Sequence, residues 1–283
     1  MKVKQFYKYI ENSLAEIAVD DPAFEAQCIM DYVFGFDRIA LITHGSDELL
    51  DENIKKVDEI VLRRKKYEPL QYILGKWNFF GFDFEVGEGV LIPRDDTEVV
   101  LELCLQYLDT LKKDIVKVVD LCAGSGAISV AIQKISKADV TAVELSDKAY
   151  NFLEKNIKLN NAFVTPFKGD VFNCFKEFKD NSIDLIVSNP PYIISSDIAD
   201  LQAEVKQEPA MALDGGADGY DFYRAIVRDW SSKIKKGGCL AFELGEGQAE
   251  YVSNLMINAG FKNIRISTDL GGVQRAIIGT LLD

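Results

Sequence analysis

The tetrapeptide Asn-Pro-Pro-Tyr at 189–192 follows the apolar run at 183–187 and has the most specific chemistry in this sequence. Successive prolines fix their own backbone angles and restrict the residue before each, so nearby carbonyls are held rigidly. Asn189 offers a side-chain oxygen and Pro190 a main-chain carbonyl, two acceptors suited to the two hydrogens of a planar NH2 group. Pro191 stiffens the turn, and Tyr192 adds an aromatic wall for a flat amide or base.

A glycine-containing turn, Cys122-Ala123-Gly124-Ser125-Gly126, follows a second apolar run. A tight turn from strand to helix needs small residues, because a ligand must approach the backbone and the helix must pack on the sheet. Ser129 stands where a dinucleotide-binding turn has its third glycine or alanine, so the pattern disfavours NAD. It favours a nucleoside without a pyrophosphate.

Two carboxylates follow the next two predicted strands. Glu144 lies about 20 residues beyond the turn, where an acid can accept hydrogen bonds from both hydroxyls of a ribose. Asp170, followed by Val171, is placed to accept from an adenine amino group. Either acid alone could be a solvent-facing cap at the end of a strand. Together they predict an adenosine pocket at the carboxyl ends of consecutive strands.

The adenosine pocket and the Asn-Pro-Pro-Tyr segment, taken together, indicate methyl transfer to a planar NH2 group. The nitrogen of an amide or aromatic amine is a poor nucleophile, since its lone pair is delocalised. Two fixed acceptors let that nitrogen pyramidalise as it attacks a sulfonium methyl group in line. No strong general base is required, because the proton becomes acidic only as the new bond forms. A proline-rich turn that merely ends a strand is the structural alternative.

Short β-branched runs alternate with helical stretches from about residue 117 onward, a pattern typical of a parallel sheet in an α/β domain. We predict strands at 116–121, 139–145, 163–168, 182–189, 237–244, 263–267 and 276–281. We predict helices at 128–135, 148–159 and 220–234.

The first 72 residues have helical spacing of apolar side chains, with Asp21-Pro22 as a helix start and a longer helix from about Asp51 to Lys66. Aromatic residues then alternate with polar ones, as in a β-hairpin. The predicted domains are therefore 1–72 (helical), 73–95 (bridging hairpin) and 96–283 (α/β).

The charge balance and the cysteines exclude several classes of function. The net charge of −13 provides no global attraction for a polyanion, which disfavours nucleic acid as a partner. The cysteines are far apart and His44 is the one histidine, so no metal site is predicted. No apolar run reaches the roughly 20 residues that cross a bilayer. We expect a cytoplasmic protein and, by default, a monomer.

Motifs along nearly the whole chain resemble the HemK/PrmC family of N(5)-glutamine methyltransferases. They are Pro69 to Gly75, Val90 to Arg94 with Thr97-Glu98, the turn after Asp120, Asn189 to Ile193, and Glu208-Pro209. Asp95 and Cys122-Ala123 depart from the usual pattern of that family. Arg94 and Glu98 fit either a scaffold for the site or an ion pair that serves the fold.

The resemblance implies a Rossmann-like class I S-adenosylmethionine methyltransferase domain, joined by a β-hairpin to a helical domain that helps to dock the substrate. The implied substrate is the glutamine in the Gly-Gly-Gln loop of peptide-chain release factors, and the implied product of the donor is S-adenosylhomocysteine. Residues 122–126, Glu144, Asp170, Val171 and Asn189 would bind the donor. Residues 189–192 would hold the glutamine.

Other substrates and one other class of function stay open. The same acceptors suit a glutamine of a ribosomal protein, or the amino group of adenine or guanine in DNA or RNA. A nucleic-acid enzyme also needs a basic surface, whereas the basic residues here are scattered. A catalytically silent module that binds a translation factor is the alternative outside enzymes.

Overall fold

The computed structural model describes residues 1–17, 19–49 and 51–282. Ala18, Leu50 and Asp283 belong to the predicted domains but lie outside the described residues. The chain forms two compact units, one of Met1–Gly75 with Gln202–Gln207 and one of Lys76–Leu201 with Glu208–Asp283. Within the described part of the chain, no helix has the length and apolar character needed to cross a membrane.

The first unit is helical, because apolar side chains at helical spacing give each long helix one face to bury. Phe6, Ile10 and Leu14 are completely buried in its core. Asp21 caps the second helix by accepting from the Phe24 N–H at 2.9 Å. The helices are α1 Val3–Ala15, α2 Pro22–Phe34, α3 Arg38–Thr43, α4 Asp51–Arg64 and α5 Leu70–Leu74.

A buried arginine ties the distant segment Gln202–Gln207 into the helical unit. The Arg64 side chain is 1% exposed and donates to Glu25 at 2.7 and 2.9 Å and to Glu204 at 2.8 Å. A buried guanidinium requires such partners, since removing one would leave its charge uncompensated. Sequence spacing alone did not predict that residues so far along the chain would join this unit.

The second unit contains a hairpin and a seven-stranded sheet, in the order β5-β4-β3-β6-β7-β9-β8. Strands β3 to β7 run parallel, and β9 pairs antiparallel with both β7 and β8. The strands are β1 Lys76–Phe79, β2 Phe82–Glu85, β3 Lys117–Leu121, β4 Asp139–Glu144, β5 Val164–Lys168, β6 Ile183–Ser188, β7 Ile234–Glu243, β8 Phe261–Thr268 and β9 Gln274–Leu281. The helices are α6 Thr97–Thr110, α7 Ala127–Ser136, α8 Asp147–Leu159, α9 Asp221–Trp230 and α10 Ala249–Asn258.

The strand order reverses between β3 and β6. Chain order runs outward from β3 through β4 to β5 on one side, and from β6 to β7 on the other. In open α/β sheets, ligands bind at the carboxyl ends of the strands beside such a switch point. The turn after β3, Glu144 at the end of β4 and Asn189 after β6 all lie at this edge.

The predicted α/β fold with a helical N-terminal region and a hairpin is confirmed, and the boundaries differ mainly at one place. The helix predicted at 220–234 ends at Trp230, and β7 begins at Ile234 rather than at 237. Ile234 pairs with Ile183 and is completely buried. Its place in the sheet therefore outweighs the helical spacing that included it in α9.

Candidate functional site

An open cavity lies at the carboxyl edge of the parallel strands, with about 940 Å³ of empty space when the open solvent at its mouth is included. Eight of the predicted site residues line it: Cys122, Ala123, Gly124, Ser125, Glu144, Val171, Asn189 and Pro191. Among the described residues, four predicted ones are not part of its wall: Gly126, Asp170, Pro190 and Tyr192.

The turn after β3 depends on left-handed backbone angles. Cys122, Gly124 and Gly126 have φ values of 61°, 55° and 84°. A Cβ at Gly126 would lie 2.5 Å from Leu153 Cδ1 of α8, so any larger residue here would force the buried Leu153 side chain to move. Burial raises the pKa of the Cys122 thiol, which therefore stays neutral at the cavity wall.

Glu144 is held by main-chain donors on both of its oxygens. The Gly124 N–H donates to Oε2 at 2.8 Å, and the Ser146 N–H donates to Oε1 at 2.6 Å. Burial raises the pKa of Glu144, and these bonds oppose that rise. Each carboxylate oxygen keeps one further lone pair. The side chain can therefore accept from two hydroxyl groups in the cavity.

Asp170 and Val171 occupy different environments after β5. The Asp170 carboxylate accepts from the Phe172 N–H at 3.0 Å and from Asn173 Nδ2 at 2.9 Å. These bonds make it the anchor of its own turn. Val171 is buried and contributes apolar surface to the cavity, together with Phe222 of α9.

The Asn189 side chain is positioned by the first residue of α6. Asn189 Nδ2 donates to Thr97 Oγ1 at 3.3 Å. This bond turns Nδ2 toward Thr97 and leaves the acceptor Oδ1, together with the second Nδ2 hydrogen, for a ligand. Asn189 and Thr97 both line the cavity.

Neighbouring loops hold the main chain of the Asn-Pro-Pro-Tyr segment on two sides. Gln248 Nε2 donates to the Tyr192 carbonyl at 3.0 Å, and the Ile193 N–H donates to the Leu213 carbonyl at 2.9 Å. A Cβ at Gly215 would lie 2.6 Å from Tyr192 Cα, so only glycine allows this approach. The Tyr192 ring packs against the core of the sheet.

The loop before α6 forms another part of the cavity wall. Glu208 accepts from the Ile92 N–H at 3.0 Å and forms an ion pair with Arg94. Glu98 instead accepts from the Phe80 N–H at 3.2 Å. Arg94 and Glu98 therefore do not pair with each other: one supports the cavity loop and the other supports the hairpin.

Glu243 is a buried acid that the sequence reasoning did not select. It ends β7 and is 2% exposed, and burial raises its pKa to about 7. The Tyr192 hydroxyl donates to Glu243 Oε1 at 3.4 Å. The rule that selected Glu144, an acid at the carboxyl end of a buried strand, would also have identified this residue.

Comparisons with known proteins identify the family. Residues 5–75 match the PrmC N-terminal domain, and residues 102–216 match the methyltransferase small domain. The release factor glutamine methyltransferase of Geobacter sulfurreducens is 39% identical over 281 residues, covering 99% of this chain and 96% of that protein. This chain belongs to the release factor glutamine methyltransferases.

Further comparisons agree with this family and fold. The release factor glutamine methyltransferase of Thermodesulfovibrio yellowstonii is 37% identical, covering 90% of this chain and 91% of that protein. A methyltransferase structure from Pyrococcus furiosus superimposes with a TM-score of 0.53 at 18% identity, covering 72% of this chain and 91% of that one. The structural likeness shows the fold alone.

Proposed function

We propose that this protein transfers the methyl group of S-adenosylmethionine to the side-chain amide nitrogen of the glutamine in the Gly-Gly-Gln loop of peptide-chain release factors. The relatives that match almost the whole chain are named for this activity. The observation that carries the proposal is Asn189, whose Nδ2 is bound to Thr97 while its amide lines the cavity beside Glu144.

The cavity fits an S-adenosyl group on three counts. Glu144 keeps two lone pairs for the ribose hydroxyls, as its other interactions are with main-chain N–H groups. The backbone at Gly124 is open, since a Cβ there would meet nothing within 4 Å. Val171 and Phe222 supply apolar surface for a flat base. We propose that residues 122–126, Glu144, Asp170, Val171 and Asn189 hold the donor, with Gly126 and Asp170 shaping the turns beside it.

The bound donor supplies an electrophilic methyl group on a sulfonium. The chain's own residues would prepare the acceptor nitrogen. Asn189 Oδ1 and the Pro190 carbonyl would each accept one amide hydrogen, with Pro191 and Tyr192 holding the turn. The nitrogen–carbon bond forms as the sulfur–carbon bond breaks, and the extra proton on nitrogen leaves to solvent. These residues therefore orient the nitrogen, and no general base is assigned.

Labelled methyl transfer tests the proposal. Purified protein and labelled S-adenosylmethionine would be incubated with release factor, with release factor whose Gly-Gly-Gln glutamine is changed to alanine, and with DNA or RNA. We expect label only on the intact release factor, mapped to that glutamine by mass spectrometry. Label on nucleic acid, on another protein residue, or on nothing would reject the assignment.

We further propose the domain roles and the setting. Residues 1–72 would dock the release factor, 73–95 would form the bridging hairpin, and 96–283 would carry the methyltransferase. The separate apolar core of the helical unit supports such a division. Hydrogen exchange of the full chain should show protection within 1–72 when release factor is added. We also propose a cytoplasmic monomer, which cell fractionation and sedimentation would test.

A further inference from the structure

Three polar side chains beside the Asn-Pro-Pro-Tyr segment form a connected group that the proposed reaction has not used. Thr97 is the first residue of α6, and Glu243 is the last residue of β7. Both are more than nine-tenths buried. The third is Asn189, whose amide bonds to the Thr97 hydroxyl.

The Thr97 hydroxyl needs an acceptor for its own hydrogen. Its oxygen already accepts from Asn189 Nδ2 at 3.3 Å, and a hydroxyl carries one hydrogen and two lone pairs. The Glu243 carboxylate is within hydrogen-bonding reach of Thr97. Glu243 Oε2 is buried and has no hydrogen-bond partner among the described residues. A buried acceptor without a partner is unfavourable, so the hydroxyl hydrogen belongs there.

We infer that Thr97 and Glu243 are positioning residues that hold the Asn189 amide with its oxygen toward the cavity. The chain of donors runs from Asn189 Nδ2 to the Thr97 hydroxyl, and from that hydroxyl to the Glu243 carboxylate. This inference rests on the proposed function, because the orientation matters only if Asn189 receives a hydrogen of the substrate.

The charge of Glu243 decides which group donates and which accepts in the hydrogen bonds that join Asn189, Thr97 and Glu243. An ionised carboxylate is acceptor-only, so the Thr97 hydroxyl must donate to it and can only accept from Asn189. If the carboxyl is protonated, the Thr97 hydroxyl is free to turn and donate to the asparagine instead. The asparagine amide would then reverse and present its NH2 to the substrate NH2. Two donors would face each other, and the substrate hydrogens would lose an acceptor.

Titratable and charged groups on several neighbouring elements face Glu243. The Tyr192 hydroxyl donates to Oε1, and the Tyr223 hydroxyl of α9 donates to the main-chain carbonyl at 2.9 Å. Asp96, before α6, raises the pKa of Glu243, whereas Arg275 of β9 lowers it. Burial is the largest cause, and the pKa is about 7. The ionised form is therefore lost as the pH falls through about 7, and the ordered amide is lost with it.

A matched pair of substitutions at Thr97 tests the inference. Thr97→Val keeps the shape but removes the hydroxyl, and Thr97→Ser keeps the hydroxyl. We expect Thr97→Val to lower kcat on release factor by about 10- to 100-fold, as for other partners that orient a functional group. Thr97→Ser should recover most of kcat. Thr165→Val, an exposed threonine-to-valine change on β5, controls for the substitution itself. Equal loss in the serine and valine variants would overturn the inference.

The pH dependence of kcat distinguishes residues that orient the Asn189 amide from residues that only stabilise the fold. Wild-type kcat should rise as the pH increases through about 7, where Glu243 ionises. Glu243→Gln and Thr97→Val should both lack this rise, because one cannot ionise and the other breaks the connection. A variant that is only less stable would keep it. A rise at the same pH in both variants would contradict the inference.

Nuclear magnetic resonance of the protein alone, without donor or substrate, tests the inference independently of the proposed function. The side-chain NH2 resonances of Asn189 can be assigned by their absence in Asn189→Ala. We expect their shifts to titrate near pH 7 in wild-type protein and not in Glu243→Gln. No titration in the wild type would overturn the inference even if glutamine is methylated. Titration without methyl transfer to glutamine would instead reject the proposed function.

Discussion

Glu144 and Glu243 are the same residue type at equivalent places, yet their surroundings give them different properties. Each ends a strand of the sheet, and they are 8% and 2% exposed. Glu144 accepts from two main-chain N–H groups, which cannot rotate. Glu243 is surrounded by hydroxyls, whose hydrogens can turn. The donor end of the cavity therefore has a fixed acceptor, the Glu144 carboxylate. At the other end the acceptor is the Asn189 amide oxygen, whose orientation depends on whether Glu243 is ionised.

The largest effect is expected at the amide end of the cavity. Asn189→Ala removes one acceptor for the substrate amide, and we expect turnover to fall by about 100-fold or more, as when one preorganised polar group is removed. Donor binding, measured by calorimetry, should be largely intact. Asn254→Ala, an exposed change on α10, is the matched control. Unchanged turnover would remove Asn189 from the mechanism.

At the donor end of the cavity we expect a smaller effect, which falls on donor affinity rather than on turnover. Glu144→Gln loses ionic acceptors, and a hydrogen bond to a charged group contributes about 1.5–3 kcal/mol. The dissociation constant for S-adenosylmethionine should therefore rise by about 10- to 100-fold. Glu250→Gln on the surface of α10 is the control, and Glu243→Gln should leave donor affinity almost unchanged. Equal losses of donor affinity in Glu144→Gln and Glu243→Gln would contradict the proposed difference between the two ends of the cavity.

Two substitutions of Tyr192 test how the Asn-Pro-Pro-Tyr segment contributes to substrate binding. Tyr192→Ala should raise KM for release factor by about 10-fold, because the ring packs on the core of the sheet and holds the turn, and an aromatic contact contributes about 0.5–1.5 kcal/mol beyond its buried area. Tyr192→Phe keeps the ring and loses only the hydroxyl bond to Glu243, so its KM should change less. Steady-state kinetics at saturating donor measure both. An effect confined to donor affinity would contradict this role.

The smallest expected effect concerns stability at the turn after β3. Gly126→Ala should lower the free energy of unfolding by about 1–3 kcal/mol, because its Cβ would meet Leu153 at 2.5 Å and its φ is 84°. Gly124→Ala has a similar φ but open space, so its loss in denaturant unfolding should be smaller. The reverse order would show that packing against α8 does not select glycine here.

Periodicity predicted the long elements well, and the misses have physical reasons. The apolar runs of β3, β4 and β6 are each within one residue of their predicted bounds at either end. The short helices α3 and α5 were not placed as separate elements within the predicted helical region, because five or six residues show too little of a helical repeat. Ile234 was assigned to a helix, since its pairing with Ile183 is a long-range contact that local spacing does not contain.

Residue types and their order along the chain were enough to indicate the parallel sheet, the glycine turn and the proline-containing turn at residues 189–192. Those features are local, because they follow from backbone angles, side-chain size and the period of apolar residues. Folding alone brought Thr97 to Asn189 and placed Glu243 beside them. It also gave Glu243 a pKa of about 7, since burial depends on every element packed around the carboxyl.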